Sequence, residues 1–154
     1  MMVEAENWRG VILRYVALSL PLHAAWEFAQ LPLYTIWTTG TPGQFWFAVF
    51  HCTLGDLAIA ASTLMLSLAL CRRAFGNDPR SRSVLMLTIA LGVGDTIFSE
   101  WFNVHVRATW SYAPAMPLLP PFGTGLSPVL QWLIVPTVAM RIAAGGRRPR
   151  SRPP

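Results

Sequence analysis

Long apolar stretches alternate with short polar breaks along the chain, and four of them cover about residues 11–37, 45–70, 84–104 and 126–144. Each has about the 20 residues that a helix needs to cross the hydrocarbon core of a bilayer. Because that core contains no water, backbone groups must pair within their own segment, which forces helices. The pattern therefore predicts an all-α protein, with a single domain over residues 1–144 that forms a four-helix membrane bundle.

The composition agrees with this prediction. Hydrophobic residues make up 53% of the 154 positions and charged residues 12%, whereas an average soluble domain has roughly 25% charged residues. This excludes a disordered chain and an ordinary soluble domain. The net charge of +5 comes from 12 arginines against 7 acids. Most of these arginines lie beside the apolar stretches, where topology-setting charges belong, so nucleic acid is not expected as a partner.

The positions of the arginines also predict topology. Basic residues lie before the first stretch, in the loop at 72–82 and in the C-terminal tail, whereas the loop at 38–43 is uncharged. This asymmetry places both termini in the cytoplasm and, for a bacterial chain, the protein in the inner (plasma) membrane. The tail at 145–154 is rich in Arg and Pro, and we expect it to be disordered. Cys52 and Cys71 are expected to be free thiols.

Three acidic residues lie in the middle of the first three stretches, where a charge costs at least roughly 2.5 kcal/mol. Counted inward from the outer ends of the stretches, Glu27 lies roughly 15 Å deep, Asp56 roughly 18 Å and Asp95 roughly 14 Å. Intramembrane acids normally face the interior of a bundle and mark a function. We therefore expect Glu27, Asp56 and Asp95 to converge, and we assign them, together with His23, as candidate catalytic residues.

Further polar residues lie between these acids and the predicted outer face, and together they form a polar column. The spacing of His23, Glu27 and Gln30 puts them on one helix face. The third stretch carries two polar stripes, one through Asp95 and the other through Glu100. The candidate substrate-binding residues are those of this column and its outer end: His51, Gln30, Glu100, Asn103, Arg107, Trp110 and Tyr112.

Three carboxylates at one depth cannot all be ionised unless a positive group joins them, because burial and mutual repulsion oppose the charge. The functional interpretation is a proton-handling or cation-binding centre; the alternative is a set of protonated acids that bond between helices. No compact ligand motif such as H-E-x-x-H is present, so we assign no metal ligands and leave the cofactor open. Gln131, at about the depth of His51, adds a neutral hydrogen-bonding group.

The segment from 105 to 125 is too apolar for a free aqueous loop and too rich in Pro for a helix. We expect it to pack back onto the helices. As a lid over the polar column, it would place Trp110, Tyr112, Met116 and Phe122 around an opening. The alternative is a loop that lies in the membrane interface through its aromatic residues.

Several short motifs carry a resemblance. They are Ser99-Glu-Trp-Phe-Asn-Val, Trp110-Ser-Tyr, Met116-Pro, Gly125-Leu-Ser-Pro-Val-Leu-Gln-Trp-Leu, His23-Ala-Ala-Trp-Glu-Phe-Ala-Gln and His51-Cys-Thr-Leu-Gly-Asp. With them the chain resembles an uncharacterised family of small four-helix bacterial inner-membrane proteins. At the level of the fold, helices that carry buried acids and a histidine also resemble the emopamil-binding sterol isomerases, whose intramembrane carboxylates support a cationic intermediate. Their Asp-x-Arg-Tyr type of signature is missing here.

These observations favour an intramembrane acid/base enzyme, of the isomerase or cyclase type, with a lipidic small-molecule ligand. The first alternative is a proton- or cation-coupled small carrier that uses the same column as a relay. The second is a non-catalytic accessory subunit whose polar residues serve helix packing. The lipid bilayer is the expected partner in every case, and a homodimer remains open.

Overall fold

The computed structural model describes residues 2–74 and 81–145. These residues are mostly helical, with the α-helices α1 Met2–Gln30, α2 Ile36–Thr39, α3 Pro42–Ala74, α4 Arg82–Trp101 and α5 Leu126–Gly145. A 3-10 turn at Leu31–Leu33 follows α1, and a π-helical segment at Phe102–Val106 extends α4. Two short antiparallel strands, β1 Leu118–Leu119 and β2 Thr124–Gly125, precede α5. Residues 75–80 of the predicted basic loop, and the predicted disordered tail from 146 onward, lie outside the described residues.

Three segments of the described chain are long and apolar enough to cross a membrane: Pro42–Cys71, Arg82–Val106 and Leu126–Gly145. They correspond to the second, third and fourth predicted stretches. Helix α1 has the necessary length but carries Arg14, His23 and Glu27 in its interior, and it is not among them.

The four long helices pack in a cyclic order. Helix α1 contacts α3 and α5, and α4 contacts the same two helices from the other side. Their shared core is apolar and is formed by Val11, Tyr15, Ala60, Leu64, Cys71, Val84, Trp132, Ala139, Met140 and Ala143. Large apolar side chains, such as Leu13, Phe47 and Met86, cover the outward faces and are more than 60% exposed. An apolar exterior of this kind is unusual for a soluble monomer.

A close helix contact fixes α4 against α5. A Cβ atom added at Gly92 would lie 2.1 Å from Cε3 of Trp132, so only glycine allows this approach. The buried residues of α4 recur at every fourth position and form one stripe that contains Gly92. They are Val84, Thr88, Gly92, Thr96 and Glu100. Of the two predicted stripes, the one through Glu100 lies on this buried face, whereas Asp95 is exposed beside it.

Helix α1 ends earlier than predicted. Its last residue is Gln30, whereas the apolar stretch runs on to about residue 37. Pro32 explains the difference, because proline lacks a backbone N–H and disfavours helix in the residue before it. The chain continues outward through the 3-10 turn and the short helix α2 instead.

The segment between α4 and α5 packs back onto the helices, as predicted. The amide of Thr35 donates to the carbonyl of Ser111 at 3.0 Å, and the amide of Ala113 donates to that of Leu33 at 2.9 Å. Tyr34 and Tyr112 form an isolated antiparallel bridge between these contacts. The end of the molecule that the predicted topology makes the outer end is thus covered by two irregular segments bonded to each other.

Candidate functional site

Gln131 joins three helices at the centre of the site. Its amide nitrogen lies 3.0 Å from Oε1 of Glu27, 2.8 Å from Oδ2 of Asp56 and 2.9 Å from Nδ1 of His23. Glu27 and His23 come from α1, Asp56 from α3 and Gln131 from α5. His23 and Gln131 are almost completely buried. Three of the four predicted catalytic residues therefore meet at one amide group, whose central role the sequence did not reveal.

The acid cluster, defined as Glu27, Asp56, His23 and Gln131, offers the amide more acceptors than it has hydrogens. An amide nitrogen carries two hydrogens, and three acceptors surround it, so at most two of them accept an ordinary two-centre bond from it. If the amide is rotated by 180°, its oxygen instead accepts bonds from protonated members of the cluster. Nδ1 of His23 also lies 3.4 Å from Oδ2 of Asp56, so a protonated imidazole would pair with that carboxylate.

Glu27 is held from a second direction. Nε2 of Gln30 donates to Oε1 of Glu27 at 2.8 Å, and the hydroxyl of Ser127 donates to Oε1 of Gln30 at 2.9 Å. The indole of Trp26 donates to the same hydroxyl at 3.2 Å. This chain of bonds links the last turn of α1 to the first turn of α5. Gln30 therefore positions the carboxyl group of Glu27, and it also lines the cavity.

A cavity of about 640 Å³ reaches the acid cluster. Glu27, Asp56 and Gln131 form part of its wall, whereas His23 lies behind them and does not line it. The cavity also contains the predicted site residues Gln30, His51, Asp95, Glu100, Asn103, Arg107 and Trp110. Most residues of the predicted column thus face one space, which extends from the acid cluster to the outer loop.

Part of the cavity wall is open to the side of the molecule. His51 and Gly55 on α3 and Asp95 on α4 line the cavity and are exposed. A Cβ atom added at Gly55 would meet nothing within 4 Å, so open space lies directly beside this glycine. These three exposed lining residues belong to two adjacent helices, and we call this side of the cavity the α3–α4 opening.

Asp95 belongs to this opening and not to the acid cluster. It lines the same cavity as Glu27 and Asp56, but its carboxyl group makes no hydrogen bond to any of the described residues. The expected convergence of three acids therefore holds for the cavity, whereas only two carboxyl groups share a hydrogen-bond partner. Asp95 lies to one side of the buried face of α4 because the packing of Gly92 against Trp132 fixes the rotation of that helix.

Glu100 forms a second polar centre nearer the outer end. Its carboxylate accepts bonds from the hydroxyls of Tyr34, at 3.3 Å, and Tyr112, and the amide of Gly125 donates to the Tyr112 hydroxyl at 3.0 Å. Burial, reinforced by the bond to Glu100, raises the pKa of Tyr112 above its ordinary value. Tyr112 does not line the cavity, and its hydroxyl anchors the outer loop to Glu100. Its predicted role in substrate binding stays a prediction.

The remaining predicted residues also line the cavity. The imidazole of His51 stacks on Phe47 with 5.3 Å between ring centroids. Nδ2 of Asn103 donates to the carbonyl of Ser99 at 2.9 Å, which leaves its side chain partly committed to α4. Arg107, which is exposed, and Trp110 complete this set. The cavity wall therefore carries an arginine as well as acidic side chains.

Among the described residues, no group of three or more His, Cys, Asp or Glu side chains is arranged to hold a metal ion. Cys52 and Cys71 are free thiols. Comparisons with known protein families, with curated proteins and with solved structures gave no match.

Proposed function

We propose that the protein spans a bacterial inner membrane with all four long helices and that both termini are cytoplasmic. Three of these helices are apolar enough by themselves, and α1 packs between two of them along its length. Two polar residues in the middle of α1, His23 and Glu27, belong to the acid cluster, which lowers the cost of a bilayer crossing by this helix. The arginines flanking the helices support this orientation.

Within this arrangement we propose an acid/base enzyme that acts on a lipidic substrate. The observation that carries the proposal is the cavity itself, which connects the α3–α4 opening with the paired carboxyl groups of Glu27 and Asp56. At the depth of these residues, the opening faces hydrocarbon rather than water. A hydrophobic molecule can therefore reach the acid cluster from the lipid phase.

Isomerisation or cyclisation is the chemistry that this cluster supports best. A protonated carboxyl of the Glu27–Asp56 pair donates its proton to an alkene or epoxide, and the ionised partner receives a proton from the resulting cation. His23, behind the cavity wall, supports this pair through its contacts with Asp56 and Gln131. One proton enters and one leaves, so the reaction is redox-neutral and needs no co-substrate. The Tyr34 and Trp132 rings in the cavity wall stabilise the cation through their π faces.

Replacement of the two acids in a complemented deletion strain tests this function. Wild-type protein should restore the lipid profile of the strain, whereas Glu27→Gln and Asp56→Asn should leave the unconverted lipid in place, because neither amide can donate or accept the proton. Gly94→Leu is the matched control, since its position on α4 is exposed, borders open space and does not line the cavity. Identical lipid profiles for the deletion, wild-type and acid variants would refute an enzymatic role and favour an accessory subunit.

A proton-coupled carrier is the second candidate, and one observation favours it. The inner half of the core contains the buried hydroxyls of Ser19, Ser67 and Thr88, so polar groups continue beyond His23 away from the cavity. Reconstituted liposomes that show substrate-dependent proton flux, together with an unchanged lipid profile in the acid variants, would favour this candidate over the enzyme.

A further inference from the structure

A set of buried polar atoms without partners lies in the inner half of the core. The hydroxyls of Tyr15 and Ser19 on α1 and of Ser67 on α3 are fully buried, and so is Nε2 of His23. None of these atoms has a hydrogen-bond partner of good geometry among the described residues, although the hydroxyls of Tyr15 and Ser19 lie close enough to interact with each other. We call them the hydroxyl tract.

These serine hydroxyls have given up the bond that a helix normally offers them. Thr63 and Thr88, which are also buried, donate to the carbonyl four residues earlier in their own helix, at 2.7 and 2.8 Å. Ser19 and Ser67 make no such bond. Leaving a buried hydroxyl unpaired is costly, so these groups need a partner small enough to fit between packed helices. Water is the molecule that usually fills this role in protein interiors.

The tract leads away from the acid cluster. Tyr15, Ser19 and His23 follow one another at intervals of four residues, so they share one face of α1, with roughly 6 Å of rise between successive side chains. His23 bonds to Gln131 through Nδ1, and its unpaired Nε2 lies on the other side of the imidazole ring. A histidine in this position can take a proton on one nitrogen and release it from the other.

We propose that Tyr15, Ser19, Ser67 and Nε2 of His23 bind ordered water and form a proton relay between the acid cluster and the end of the molecule where α1 begins. The role of the relay in renewing the proton of the cluster rests on the proposed function, whereas the binding of water does not. The relay enters the cluster from the side opposite the cavity, so a bound substrate leaves it free to operate.

Water-edited solid-state NMR of the full chain in lipid bilayers tests the proposal. Wild-type protein should show magnetisation transfer from water to the side chains of Ser19 and His23. Ser19→Ala should reduce the transfer to His23 at least severalfold, because the hydroxyl that holds the water is lost. Ser62→Ala is the matched control, since Ser62 is an exposed serine that bonds to the carbonyl of Ile59 within α3, and it should leave the His23 signal unchanged.

The thermal stability of the same variants gives a second readout. If water pairs with Ser19, removal of the hydroxyl leaves that water with fewer partners, and the melting temperature should fall or stay constant. A dry tract predicts the opposite, a higher melting temperature for Ser19→Ala and no water transfer to His23 in the wild type, and this result would overturn the proposal. The outcome is independent of the lipid profiles of the Glu27 and Asp56 variants, so failure of the relay and failure of the enzymatic role are distinguishable.

Discussion

Replacement of Gln131 by methionine should weaken the packing of three helices at once. The side chain is almost fully buried, and its amide nitrogen contacts Glu27, Asp56 and His23 within 3.0 Å. Methionine has a similar length and flexibility but no hydrogen-bond donor, so the substitution removes the bonds with little change in volume. The variant therefore isolates the contribution of the amide.

The expected loss can be worked out from these contacts. An interhelical hydrogen bond in a membrane contributes about 0.6 kcal/mol on average, so the two ordinary bonds that the amide hydrogens can make contribute about 1 kcal/mol. Bonds to a charged group are worth about 1.5–3 kcal/mol each, which raises the loss if one carboxyl is ionised. Glu27 keeps its bond to Gln30, and this limits the damage. We expect the free energy of unfolding to fall by about 1–4 kcal/mol.

Reversible unfolding in mixed detergent micelles measures this loss. Thr137→Val is the matched control on the same helix, because Thr137 bonds only to the carbonyl of Leu133 in α5, and its effect should stay within about 0.5 kcal/mol. If Gln131→Met also stays within about 0.5 kcal/mol of the wild type, the amide does not hold the helices together and the description of the acid cluster is wrong.

Three further predictions concern packing, access and pH. Gly92→Ala should destabilise the fold by about 1–3 kcal/mol in the same unfolding assay, because its methyl group would overlap Trp132. Gly55→Leu should reduce conversion of the lipid in the complemented strain, because its side chain would fill the cavity, whereas Gly94→Leu should not. Equal conversion by the two variants would mean that the substrate binds elsewhere. Because folding raises the pKa of Tyr112, the contribution of Tyr112 to the free energy of unfolding should decline above pH 10. Tyr112→Phe should flatten the fall of this free energy with pH, and an unchanged slope in the variant would contradict the prediction.

The acid pair could be predicted from the sequence because a buried charge is expensive and therefore conspicuous. Glu27, Asp56 and His23 stand out in apolar stretches, and counting residues placed the two acids at nearly one depth. The central role of Gln131 was not predicted, since a neutral amide carries no such cost. Its depth was also misjudged: it lies five residues into α5 yet contacts Glu27, three residues from the end of α1.

The reason lies in the irregular outer segments. Depth counting assumes that every span ends at the same height, but α1 ends at Gln30 and α5 begins at Leu126, while α3 continues for another 14 residues outward from Asp56. The segments that fill this difference in height, before α3 and before α5, have no helical periodicity from which their path could be predicted. The hydroxyl tract was equally hidden, because serine and tyrosine in a helix give no signal until their partners are known.

Chemical modification by a hydrophobic carbodiimide tests the central claim most directly. Dicyclohexylcarbodiimide dissolves in the bilayer and reacts with protonated carboxyl groups, so peptide mass spectrometry locates acids that hold a proton and are reached from lipid. We expect modification of Glu27 or Asp56 in membranes, loss of the reaction in Gly55→Leu and an unchanged reaction in Gly94→Leu. Absence of modification at both acids, or labelling confined to Asp95, would contradict it.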